Sequence, residues 1–140
     1  MSTVYWSNAL VGDTVTSDNE DLYALYKHTE KLDSLCSTLG LREISSFIDN
    51  TDLMVNLEQL DMPEGMESTD ELMAAQGNWV DAALAADVLE KLCEHVKENE
   101  IRFGLVSNAR SDIIEELELC AGFARAAAEN GGRFNLAVVM

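Results

Sequence analysis

"RFNLAVVM", Arg133 to Met140, decides how this chain is put together. Phe134, Leu136, Val138 and Met140 fall on alternate positions, the period of a strand with one face buried. At the opposite end "TVYWSNALV", Thr3 to Val11, is rich in β-branched and aromatic residues and reads as a second strand. A strand at each end of a short chain is most economically paired with the other, because a lone edge is marginal and open to aggregation. One small sheet containing both termini is the expectation.

Three helical segments lie between. The first spans Ser17 to Leu39: "SDNE" at 17–20 has the form of a capping box. Leu22, Leu25, Tyr26, Thr29, Leu32, Cys36 and Leu39 follow at helical spacing, and Gly40 is the stop. The second spans Asp81 to Asn99, with Asp81 as N-cap and Leu84, Val88, Leu89, Leu92, Cys93 and Val96 on its inner face. The third spans Ser111 to Asn130 and ends at Asn130-Gly131-Gly132. "EIRFGLVS", 100–107, reads either as a short strand or as an apolar loop between two helices. The expectation is one α+β domain over residues 1–140, with three main helices packed on a small sheet that includes the N- and C-terminal strands.

A chain of 140 residues with 47% hydrophobic residues can bury a core without disulfides or a metal. Its 9 Lys+Arg stand against 26 Asp+Glu, a formal charge of −17. Such a surface repels phosphate, which argues against nucleic acid and anionic membranes as partners, and it draws cationic partners inward. Cys36, Cys93 and Cys120 are odd in number, far apart and outside any CxxC spacing, so they read as buried thiols of a reducing compartment. The first residues lack the basic start and apolar run of a leader, and the expectation is a cytoplasmic protein.

The acid is concentrated. Residues 43–90 hold twelve Asp and Glu and no Lys, Arg or His, and "FIDNTDLMVNLEQLDMPEGMESTDE", Phe47 to Glu71, carries eight of them. Pro63 and Gly65 place a loop around Met62 to Ser68. Phe47, Ile48, Leu53, Met54, Val55, Leu57 and Leu60 make the segment too apolar for a solvating linker. Asp49 and Asp52 lack the alternation and the glycine of a calcium loop. His28 and His95 sit on separate helices without clustered partners, and no Gly-x-Ser-x-Gly elbow or phosphate loop is present. No catalytic residue, metal ligand or cofactor is expected.

An amphipathic first helix, the acidic turn "FIDNTDL", a tryptophan ahead of a helix in "GNWVDAALAADVLEKL", and a final Ala-rich helix with an apolar strand follow in order. In this the chain resembles a family of small bacterial proteins of unknown function. The resemblance implies a shared fold and no chemistry.

Like charge gathered on one segment and interleaved with Leu, Met, Phe and Trp suits docking to a basic surface, while a plainly solvated face explains the charge alone. The functional expectation is a non-catalytic interaction protein of inhibitor or immunity type that covers a basic protein. Asp49, Asp52, Glu58, Asp61, Glu64, Glu67 and Asp70 are the candidate contacts and Trp79 the candidate anchor. The rivals are a small divalent-metal hydrolase using Asp49 and Asp52, and a homo-oligomeric structural protein, with a homodimer its simplest form, joined through sheet edges.

Overall fold

The structure is a computed structural model that describes residues 3–140; Met1 and Ser2, which open the stretch read as lacking a leader, lie outside the described residues. Strand β1 (Val4–Val11) turns at Gly12-Asp13 into β2 (Thr14–Ser17). Gly12 takes a φ of +61°, the left-handed conformation that tight two-residue hairpins need. Helices α1 (Tyr23–Lys27) and α2 (Thr29–Thr38) follow, then a 3₁₀ turn (Ile44–Phe47), β3 (Ile48–Asp49) and α3 (Thr51–Asn56). After a loop come α4 (Thr69–Gln76), β4 (Val80–Asp81), α5 (Ala82–Glu98), α6 (Arg110–Glu129) and β5 (Arg133–Val139).

The terminal strands pair as expected: β1 and β5 run antiparallel, with Val4 opposite Val139 and Leu10 opposite Arg133. Strand order is β2-β1-β5-β3. The far edge of β5 is covered by two short pieces, β3 in parallel and β4 antiparallel. The fold is thus α+β, with helices packed on a sheet that holds both termini.

The first predicted helix is corrected at its start. Ser17 ends β2 opposite Asn8, and its hydroxyl donates across the hairpin to Asn8 Oδ1 instead of capping a helix. Asn19, at φ 63°, reverses the chain, and Leu22 then exchanges backbone hydrogen bonds with Tyr5 on the same edge of β1. Only from Tyr23 is the chain free to coil, and His28 separates α1 from α2. The orphan amides of Ala24 and Leu25 at the start of α1 donate to the Glu116 carboxylate from α6, at 3.2 and 3.0 Å.

Helices α5 and α6 match their sequence boundaries closely. Asp81 caps α5 through the amide of Ala83, at 3.0 Å. Arg110, at the start of α6, donates to the carbonyls of Val96 and Lys97 and so ties off the end of α5. Between them, residues 99–109 form a loop: Phe103 is fully buried as a plug, while Leu105 and Val106 project into solvent.

Alternation gives the sheet two faces. Tyr5, Ala9, Phe134, Leu136 and Val138 belong to the apolar core with Leu89, Leu92, Ile113 and Leu117 of the α5–α6 pair. Trp6, Asn8, Asn135 and Ala137 point the other way, toward α3 and α4. Among the described residues no helix is long and apolar enough to cross a membrane.

Candidate functional site

A chain of hydrogen bonds crosses this second face. Asn78 N donates to Asp49 Oδ1 at 2.8 Å, and the Asn78 carbonyl accepts from Asn135 Nδ2 at 3.0 Å. Asn135 Oδ1 accepts from Asn8 Nδ2 at 3.1 Å, and Asn8 Oδ1 accepts from Ser17. Asp49, 3% exposed, also takes the amide and hydroxyl of Thr51 at 3.0 Å each. The Asn78 side chain meanwhile donates to the carbonyls of Ser46 and Ile48. Gly77 permits this approach, because a Cβ there would lie 2.9 Å from Asp49 Oδ1 and 2.5 Å from the Met73 carbonyl oxygen.

Asp49 is therefore removed from the docking contacts. Its oxygens are spent on donors inside the chain, as a buried carboxylate without a cation requires. The metal pair fares no better: Asp52 takes a separate set of donors, Thr69 Oγ1 at 2.9 Å and Asn56 Nδ2 at 3.1 Å. Among the described residues no group of three His, Cys, Asp or Glu is placed to hold a metal ion.

Above the polar chain lies an open cleft of about 470 Å³. Its floor is the sheet, through Trp6, Asn8, Ala137 and Val139; its walls are β2 and the acidic segment, through Thr16, Ser17, Asp52, Thr69, Asp70 and Met73. Trp6 is fixed by its indole N–H, which donates to Asp21 at 2.8 Å. Two candidates from the sequence, Asp52 and Asp70, meet here. Burial, and then the charge of Asp52, raise the Asp70 carboxyl above its ordinary 3.8.

Glu58, Asp61, Glu64 and Glu67 do not enter the cleft; they stand exposed along the loop from α3 to α4. Leu57 and Leu60, 45% and 37% exposed, are set among them. Glu58 takes a φ of 57°, closing α3 in a left-handed turn. Trp79 is half-buried, and its indole N–H is held by the Met73 carbonyl at 2.8 Å, which fixes the ring at the edge of α4.

Sequence reading missed Asn8, Ser17 and Thr69 as lining residues. The signal was present in part: Asn8 and Asn135 each stand in a mostly apolar strand, and an amide inside a buried strand needs a partner. Elsewhere the thiols are closed to chemistry, with burial pushing Cys36 up to about 11 and Cys120 up to about 12. No protein-family model, curated protein or solved structure matches the chain.

Proposed function

We propose that this chain is a non-catalytic binding module whose acidic α3–α4 arm, with the cleft that it walls, covers a basic surface of a partner protein. One observation carries the reading. The ion pairs among the described residues all lie on α5 and α6: Lys97 with Glu118, and Arg125 with Asp87 and Glu90. Among the described residues, Glu58, Asp61, Glu64, Glu67 and Asp70 have no Lys, Arg or His within ion-pair distance. Uncompensated charge of one sign raises the rate of encounter with the opposite sign. Leu57, Leu60 and the edge of Trp79 supply the apolar contact that charge alone does not give. A role in a reducing, cytoplasmic setting agrees with the three buried thiols.

The hydrolase reading has less support, since Asp49 and Asp52 accept from different donors. Joining through sheet edges would have to use short outer strands, β2, β3 and β4, of four, two and two residues. The test is retention of host proteins by wild type and by a variant carrying Glu58→Gln, Asp61→Asn, Glu64→Gln and Glu67→Gln. A basic protein held by wild type, released by moderate salt and missed by the variant supports the reading. The same proteins on both would end it.

A further inference from the structure

The loop between α5 and α6 is built to hold an apolar point in water. Leu105 is 97% exposed and Val106 98% exposed, yet the loop beneath them is tightly braced. Arg102 donates to the carbonyls of Gly104 and Leu105, at 2.8 and 3.1 Å. Asn108 Oδ1 accepts from the amides of Phe103 and Arg110, and the Ala109 amide closes on the Phe103 carbonyl at 2.8 Å. Gly104, at φ +110°, permits the turn; a Cβ there would lie within 2.4 Å of the Ser107 carbonyl oxygen. Two adjacent aliphatic side chains fixed in solvent by so many bonds contribute nothing to the core and form an exposed apolar point.

Leu105 and Val106 form one wall of a groove of about 460 Å³, whose other side is Tyr23, Ala24, His28 and Ala109, with Lys27 and Asp112 also along it. An apolar projection next to an apolar groove is the shape that a two-fold contact requires, each copy giving its projection and receiving the other's. Charge selects the same place. Lys27, Lys31, Arg102 and Arg110, four of the nine Lys and Arg, stand at this end of the molecule. Among the described residues none of the four has a carboxylate within ion-pair distance. Two chains of −17 meet with least repulsion where their few cations are gathered, and Asp112 in each groove gives the other copy's cations a partner.

We infer that the chain forms a two-fold dimer through this end, with Leu105 and Val106 of each copy seated in the groove of the other. Both acidic arms are left free, so the dimer presents two docking faces and binds a repeated basic surface with avidity.

Sedimentation of the full chain over a concentration series tests this. The expected result is a doubling of mass that grows stronger as NaCl is added, because salt screens repulsion between two acidic chains. Leu105→Ser with Val106→Ser should weaken the dimer by at least about tenfold and leave the circular dichroism and melting temperature of the monomer unchanged. Tyr23→Ala, on the groove wall, should weaken it as well. A monomer throughout the series overturns the inference, as does a dimer that survives the double substitution. A dimer that falls apart in salt also overturns it, since that points to pairing of the basic end with the acidic arm. So does a monomer that sediments with anionic phospholipid vesicles through Leu105 and Val106.

Discussion

On one side of β5, Phe134, Leu136 and Val138 stand in an apolar layer under α5 and α6. On the other, Asn135 belongs to a line of hydrogen bonds from Asp49 to Ser17, beneath a thin cover of α4 and an open cleft. Dispersion and burial hold the first side; they are non-directional and tolerate some repacking. The second is directional, and every member must find its partner. The apolar side therefore supplies most of the stability. The polar side fixes register, because sliding β5 by one residue against β1 would leave the amides of Asn8 and Asn135 buried without partners. The open, charged surface is found on the side that the core does not need.

The largest effect should come from the apolar side. Phe134 is fully buried and stacks edge-on to Phe47, with ring centroids 6.2 Å apart. Phe134→Ala should cost about 3–5 kcal/mol in denaturant unfolding. Asp49→Ala comes next, at about 2–4 kcal/mol, because it leaves the amides of Thr51 and Asn78 without their acceptor. Asp49→Asn, which keeps one acceptor oxygen, should cost less. If Asp49→Ala unfolds with the wild-type midpoint, the polar line is not a structural element and the contrast between the faces fails.

These two residues also show what the sequence made legible. Phe134 lies on an alternating strand, and its burial follows from pattern alone. So do helices α5 and α6 and the stop at Gly131-Gly132, since each is written in local periodicity. Asp49 stands in a run of acids and reads as one more surface charge; its burial depends on Asn78, 29 residues away. Strands β3 and β4 are two residues each and exist only because β5 offers an edge, so no local pattern announces them. The β1–β2 hairpin was readable from Gly12-Asp13, a favoured two-residue turn. "SDNE" outcompeted it because a capping box and a strand end use the same residues, and only the position of Asn8 across the hairpin decides between them. Of the candidate site, the arm from Glu58 to Glu67 was legible as charge. The cleft was not, because β1, β2, β5, α3 and α4 must assemble before it exists.

The acidic arm should behave as surface with respect to stability. Neutralising Glu58, Asp61, Glu64 and Glu67 together should leave the melting temperature equal or modestly higher, as repulsion within the arm is removed. Wild type should gain a modest amount of stability on adding salt, and that gain should shrink in the variant, since screening acts over a Debye length of roughly 8–10 Å. A large loss of stability would place these side chains in the fold after all.

The smallest and most diagnostic effect belongs to Asp70. Its carboxyl is raised, first by burial and then by Asp52, so the folded chain holds this proton to a higher pH than the unfolded chain does. The sign follows from linkage: its contribution is fully present below the unfolded value of 3.8 and is lost as pH rises through the folded pKa. At neutral pH the charged carboxylate is therefore a small net cost, kept small by its exposure to water. Asp70→Asn should stabilise the protein slightly at pH 7, and the gain should fade as pH is lowered toward 4. Asp52→Asn should move the Asp70 carboxyl back toward its ordinary value, read directly by carboxyl-carbon NMR titration. A cationic side chain seated in the cleft should do the same, because it favours the charged form. A titration of Asp70 unchanged by Asp52→Asn would mean that the two carboxylates do not share the cleft, and the docking face would then be the arm alone.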